Sequence, residues 1–264
     1  MKALCQRASA LRTKSSPTAR RTPENVNEET DIQTTERVNE AESGAAVHSS
    51  VLLAGQPPTL YYESEGITIY CADNARVLPH LPPCDLLLTD PPFGIGFAAQ
   101  PTTGQRKRGQ ARETWDDATP EEWTLLLARK LCAKQIIWGG NYFGLPRSRC
   151  WLSWYKPDAP PSMGNVEYAW TNLDQNSRQI EQSISATNAE RVGHPTQKPL
   201  RVMGWAIQQA GEVKTILDPW MGSGTTLVAA KLAGVRAIGI EANETYCKLA
   251  VARLEQGVLW PANH

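Results

Sequence analysis

Asp90 heads the turn Thr89-Asp90-Pro91-Pro92-Phe93-Gly94, which follows the apolar run Asp85-Leu-Leu-Leu-Thr89. A carboxylate, a proline carbonyl and an aromatic ring in one stiff turn suit a particular substrate. The exocyclic amine of adenine or cytosine is a poor nucleophile, because its lone pair is delocalised into the ring. Asp90 and the carbonyl of Pro91 could accept its two protons, which favours a pyramidal nitrogen with its lone pair turned toward a methyl group. Pro91 and Pro92 offer carbonyls without a competing N–H and hold the turn rigid. Phe93 would stack on the base. Duplex DNA hides that amine, so the nucleotide would have to be flipped out of the helix. Asp-Pro-Pro is also a good turn former that needs no chemistry.

A second turn reads Asp218-Pro219-Trp220-Met221-Gly222-Ser223-Gly224-Thr225-Thr226, between an apolar strand and a helix. Ligands bind at such strand ends in open α/β sheets. Gly222 and Gly224 let the backbone approach a ligand, and the helix start presents free N–H groups. A phosphate loop would carry Lys where Thr225 stands, and a dinucleotide fingerprint would carry Gly where Leu227 stands. Glu241 ends the next strand, where an acid can hold both hydroxyls of a ribose. A glycine turn with a ribose acid, but without phosphate machinery, points to a nucleoside cofactor such as S-adenosylmethionine.

These turns need a scaffold, and the periodicities supply one. Strands are expected at Ile67–Tyr70, Asp85–Thr89, Gln135–Trp138, Cys150–Trp154, Lys214–Leu217 and Val235–Ile240. Thr119-Pro120-Glu121-Glu122 predicts a helix start, with Thr119 as cap and Trp123, Leu126, Leu127 and Leu131 on its apolar face. Further helices are expected from Pro199 to Gly211, from Thr225 to Ala233 and from the cap Asn243 onward. The alternation implies a doubly wound, mostly parallel α/β sheet. Residues 1–58 read as a disordered polar tail, basic up to Arg21 and then rich in Glu, and residues 59–264 as one catalytic domain. The tail's first residues also fit an organelle transit peptide. A bacterial or phage protein with a solvated extension, working in the cytoplasm, is the preferred alternative.

Lys plus Arg and Asp plus Glu balance at 27 each, so any basic surface must be local. Cys5, Cys71, Cys84, Cys132, Cys150 and Cys247 are scattered, with no metal-ligand spacing, so no metal is expected. No apolar run approaches the roughly 20 residues of a membrane span.

With both turns in view, the chain resembles the DNA amino-methyltransferases that act on N6 of adenine or N4 of cytosine, in the β-type order in which the Asp-Pro-Pro-aromatic motif precedes the cofactor turn. The similarity runs from about Gly66 to Gln256 and includes Ile136-Ile-Trp-Gly-Gly-Asn-Tyr-Phe143, Trp151 to Pro157, and His194-Pro-Thr-Gln-Lys-Pro199. It implies a seven-stranded sheet of the S-adenosylmethionine-dependent methyltransferase type, with one antiparallel strand near an edge. It implies a base pocket of Asp90, Pro91, Pro92 and Phe93. On the cofactor side it implies Asp218, Trp220, Gly222, Ser223, Gly224, Thr225 and Glu241. Asp73 would lie near the cofactor's adenine, or act only as a turn cap. Thr196 or Lys198 would meet its carboxylate. Phe93 stands where the family more often has Tyr, and Trp220 where it has Phe. Asp at the first catalytic position goes with adenine in this family as a tendency, which leaves cytosine N4 open. RNA or protein-amide methylation, or an inactive DNA-binding homologue, are the remaining alternatives.

DNA is the expected partner of a monomer or homodimer, with a restriction endonuclease as a possible companion. Arg106, Lys107, Arg108 and Arg112 could meet phosphates. The stretch 158–192 reads as irregular, short and rich in side chains suited to base edges.

Overall fold

The computed structural model describes residues 58–95, 116, 118–189 and 197–256. The tail up to residue 57, the basic residues Arg106, Lys107, Arg108 and Arg112, and Thr196 lie outside the described residues.

The described residues form nine strands: β1 Tyr62–Ser64, β2 Ile67–Cys71, β3 Cys84–Thr89, β4 Cys132–Trp138, β5 Trp151–Tyr155, β6 Val166–Thr171, β7 Arg178–Glu181, β8 Thr215–Asp218 and β9 Arg236–Glu241. The helices are α1 Asn74–Val77, α2 Glu122–Lys130, α3 Ile184–Ala189, α4 Leu200–Gln209, α5 Thr225–Leu232 and α6 Glu244–Glu255. All strands join one sheet in the order β1-β2-β9-β8-β3-β4-β6-β5-β7.

The expected doubly wound, mostly parallel sheet is present, but with nine strands instead of seven. The two additions sit at its edges. β1 pairs antiparallel with β2 across Glu65 and Gly66, whose φ angles of 51° and 78° make a two-residue hairpin turn. At the other edge β7 runs parallel to β5. β6 is antiparallel to both its neighbours. The stretch 158–192, expected to be irregular, supplies β6 and β7. Arg, Glu and Gln alternate there with apolar residues in short runs, a weak signal for edge strands.

β3 explains the core. Leu86 and Leu88 face one side, packed with Ile136, Met203 and Leu227, while Leu87 faces the other with Val77, Leu125 and Ile240. Burial on both faces demands an unbroken apolar run. β3 and β8 lie side by side, with Leu86 opposite Ile216 and Leu87 opposite Leu217. From β8 the chain crosses to β9 on one flank, and from β3 it crosses to β4 on the other. A crevice therefore opens beyond the carboxyl ends of these two strands.

One helix differs from expectation. α2 starts at Glu122 rather than Pro120, because Glu121 is extended (φ −58°, ψ 133°). Its buried face is Thr124, Leu125 and Ala128, while Leu126 is exposed. Thr119 does not cap it; its backbone runs against Gly94, where an added Cβ would lie 2.8 Å from Thr119 N.

Candidate active site

Both singled-out turns open into one cleft of about 1180 Å3 beyond β3 and β8. Asp90, Pro91, Pro92 and Phe93 line one wall, and Asp218, Trp220, Gly222, Ser223, Thr225 and Glu241 line the other. Single small-molecule sites span roughly 300–1,000 Å3, so this cleft has room for more than one ligand.

The turns are tied directly. Thr89 Oγ1 donates to Asp218 Oδ1 at 2.7 Å, coupling the last residue of β3 to the last of β8. Trp220 N donates to the same oxygen at 3.2 Å. Burial pushes the Asp218 carboxyl up to about 6, against the pull of bonds from Thr226, Thr89 and the Trp220 N–H.

The glycine wall is shaped by backbone. Gly222 and Gly224 have φ of 51° and 77°. A Cβ on Gly224 would meet the Ala250 Cβ at 2.7 Å, so α6 packs against this turn only because the residue is glycine. Glu241 accepts from Gly222 N (3.1 Å) and Asn243 N (2.7 Å). Its carboxyl is raised, because burial outweighs those bonds. Sequence reasoning missed Arg253. It is buried on α6, and its Nη1 donates to Ser223 O (2.7 Å), Ser223 Oγ (3.2 Å) and Thr225 Oγ1 (3.0 Å). Asp73 lines the cleft and also caps α1, accepting from Ala75 N at 2.8 Å.

The opposite wall is built from charge. Asp90 Oδ2 accepts from Lys198 Nζ at 2.6 Å, while Asp90 Oδ1 is buried with no hydrogen-bond partner among the described residues. Burial raises the Asp90 carboxyl, and Lys198 offsets part of that rise. Lys198, a candidate with Thr196 for the cofactor carboxylate, sits between Asp90 and Glu167, with Glu167 Oε2 at 3.1 Å. Lys156 and Glu167 went unnoticed in the sequence. Asp116 also escaped notice. It accepts from Phe93 N (2.7 Å) and Gly94 N (3.0 Å) and so fixes the turn after Asp90 from 22 to 23 residues away.

Phe93 is the residue expected to stack on the target base. Its ring is stacked on Tyr142 (centroids 4.9 Å apart, planes 14° apart), and Tyr142 is 47% exposed. The ring sits where Gly139 has no side chain, since a Cβ there would lie 2.0 Å from Phe93 Cε1. Gly140 leaves room in the same way for Trp170. The Gly-Gly pair of the Ile136–Phe143 segment thus serves aromatic packing at the cleft. Among the described residues no group of three or more His, Cys, Asp or Glu could hold a metal ion, and no helix is long and apolar enough to cross a membrane.

This sheet, with a nucleoside-sized glycine wall beside a carboxylate wall, has the architecture of the S-adenosylmethionine-dependent methyltransferases. A solved structure of M1.HpyAVI in complex with S-adenosylmethionine shares the fold, with a TM-score of 0.51 and 21% identity over 71% of this chain and 98% of that one. The family model for N6- and N4-type DNA methylases, described as DNA methylase, matches residues 146–252. Among curated relatives, the Type II methyltransferase M2.LlaDCHI of Lactococcus lactis subsp. cremoris is 25% identical over 251 residues, covering 76% of this chain and 93% of its own. M.ScaI of Streptomyces caespitosus is 24% identical over 253 residues, covering 74% and 83%. M2.DpnII of Streptococcus pneumoniae is 51% identical over 63 residues, 24% of each chain. Over about three quarters of its length the chain is thus similar to Type II DNA methyltransferases, and its C-terminal part matches the DNA methylase model. The matched family segment contains the glycine turn and Glu241, while Asp90 lies before it.

Proposed function

We propose that the protein methylates N6 of adenine in DNA, with S-adenosylmethionine as methyl donor and the target nucleotide flipped out of the duplex. The observation that carries this reading is Asp90 Oδ1, a buried carboxylate oxygen without a partner in the cleft that also holds the glycine turn and Glu241. A lone acceptor at such a place is costly unless a ligand donor meets it. An exocyclic amine is a donor of that kind.

In this reading Glu241 accepts from the ribose hydroxyls, and the backbone around Gly222 and Gly224 lies along the donor's methionine portion. Asp218 and Trp220 shape the floor, Asp73 faces the adenine of the donor, and Ser223 and Thr225 hold the turn through Arg253. When bound, S-adenosylmethionine supplies a methyl carbon on a sulfonium sulfur, and that carbon–sulfur bond breaks as the carbon–nitrogen bond forms. Asp90 Oδ1 and the Pro91 carbonyl accept from the two amine hydrogens, Pro92 stiffens the turn, and Phe93 with Tyr142 offers the aromatic surface for the base. The nitrogen's lone pair makes the new bond. The nitrogen then sheds one proton, with Asp90 Oδ1 as its acceptor. Most of the rate gain comes from alignment of nitrogen, carbon and sulfur.

Adenine is favoured over cytosine because the catalytic turn begins with Asp, as it tends to in adenine-directed members of the family. Arg106, Lys107, Arg108 and Arg112 contact phosphates, which fixes register without reading sequence. The relatives named Type II methyltransferases are bacterial, which supports a cytoplasmic enzyme of bacterial or phage origin. The test is chemical. DNA from a methylation-deficient host is incubated with the protein and methyl-labelled S-adenosylmethionine, then digested to nucleosides and analysed by mass spectrometry. Label in N6-methyldeoxyadenosine is expected. Label in N4-methyldeoxycytidine would move the assignment to the other base, and unlabelled DNA would overturn the function.

A further inference from the structure

Asp90 ends a chain of four alternating charges. Its Oδ2 meets Lys198 Nζ at 2.6 Å, Lys198 Nζ meets Glu167 Oε2 at 3.1 Å, and Glu167 Oε1 meets Lys156 Nζ at 2.7 Å. The lysine side chains are only 7% (Lys198) and 6% (Lys156) exposed. The four residues come from four parts of the chain: the turn after β3, the approach to α4, strand β6, and the residue after β5. Lys198 Nζ also lies 5.5 Å from the Phe93 ring centroid and 5.8 Å from that of Trp138.

Stability does not explain this arrangement. Two ammonium groups have been drawn out of water beside two partly buried carboxylates, and apolar residues of similar volume are often at least as stable in such places. The chain does have a direction: it begins at Lys156, against the Trp154 ring, and ends on one oxygen of Asp90. The other oxygen of Asp90 is left bare.

We propose that Lys198 and Glu167 are positioning residues for methyl transfer: Lys198 takes up Oδ2 of Asp90 and leaves Oδ1 as the acceptor for the target amine, and Glu167, anchored by Lys156, holds that ammonium in place. This rests on the reading of Asp90 as the amine's acceptor. It removes Lys198 from the cofactor's carboxylate and gives it to the base side of the cleft.

The groups that set the ionisation of Asp90 are Lys198, Glu167, Asp116 and Asp218. Only Lys198 among them is positive, so it alone opposes burial. Glu167 is held below the usual carboxylate range, since its two lysines outweigh its burial. Lys198 is held above its usual range by the two carboxylates, again against burial. The acceptor must be ionised, so transfer falls as pH drops through the Asp90 titration. Loss of Lys198 lifts that titration and moves the fall to higher pH.

The experiment is single-turnover methylation of unmethylated plasmid DNA from pH 5.5 to 9, with S-adenosylmethionine binding measured on the same preparations. Lys198→Met is expected to slow transfer about 100-fold at pH 7. Its acidic limb should shift upward, so that about tenfold of the loss returns by pH 9. Lys198→Arg should restore much of the rate, because the second charge survives. Glu167→Gln should slow transfer by less, through a loosened Lys198, and should not raise the limb, because the charge it removes is one that lifts the Asp90 titration. Cofactor affinity should stay within about threefold throughout. Weakened cofactor binding with an unmoved acidic limb would return Lys198 to the cofactor and overturn the proposal. Wild-type rates and profiles in both Lys198→Met and Glu167→Gln would overturn it as well. An active Asp90→Ala enzyme would instead overturn the underlying reading of Asp90, and a failure there is distinct from a failure of Lys198 and Glu167.

Discussion

The two walls of the cleft solve their problems by different physics. The glycine wall is made of backbone in unusual conformations, with Gly222 and Gly224 at positive φ and Arg253 gathering Ser223 and Thr225 from behind. Its polar contacts are chiefly to backbone groups. The Asp90 wall depends on a chain of charges, the buried Lys198 and Lys156 and the partly buried Asp90 and Glu167, assembled from segments as much as 108 residues apart. A wall made of backbone can present a fixed outline to a nucleoside. A wall made of charge can hold one carboxylate oxygen ready for a donor that arrives only with the base. The bond from Thr89 Oγ1 to Asp218 Oδ1 joins the two.

If the glycine wall works by shape, a side chain should destroy it. Gly224→Val adds bulk where even a Cβ lies 2.7 Å from Ala250 Cβ, at a φ of 77°. Expected is loss of cofactor binding by about 100-fold or more, with destabilisation of about 1–3 kcal/mol; calorimetry and thermal melts check both. Wild-type binding by a folded Gly224→Val protein would break the contrast. Arg253→Met probes the brace. It strips the guanidinium from Ser223 O, Ser223 Oγ and Thr225 Oγ1. Stability should fall by about 2–3 kcal/mol, and cofactor affinity by about tenfold, measured by denaturant titration and by calorimetry. Unchanged affinity would make Arg253 a core residue only.

The joint between the walls has a pH signature. The Asp218 carboxyl is pushed up to about 6 by burial, from an ordinary value of 3.8. A raised acid destabilises the folded state above its folded pKa, and this penalty fades as pH falls below 6. Measured against Asp218→Asn, the wild type should therefore gain about 1 kcal/mol between pH 7 and pH 5. Denaturant midpoints across that range provide the check. A parallel pH dependence of the two proteins would show that Asp218 is not the strained group at the joint.

The same contrast explains what could be read from the sequence. The glycine wall announces itself locally, because positive φ beside a helix start demands Gly222 and Gly224, and strands buried on both faces demand unbroken runs such as Leu86-Leu87-Leu88. Asp90 was visible because proline stiffening marks its turn. Lys198 was visible as a residue, but its ion pair with Asp90 was not, since nothing near His194–Pro199 in sequence says that Asp90 faces it. Glu167, Lys156 and Asp116 carry no local pattern at all. Their roles follow from strand order, with β6 antiparallel between β4 and β5 bringing Glu167 to the cleft. Tyr142 lay within a noted segment, yet its stacking on Phe93 depends on the bare Cα of Gly139. The two edge strands, β1 and β7, were missed because three or four residues give too short a period to detect.

The most direct measurement pairs cofactor binding with methyl transfer in Asp90→Ala. The substitution removes the bare acceptor from one wall and leaves the other untouched. Expected is S-adenosylmethionine affinity within about threefold of wild type, with transfer to DNA reduced by about 1000-fold. Loss of cofactor binding alongside activity, or transfer at the wild-type rate, would contradict a cleft in which one wall holds the donor and the other the amine.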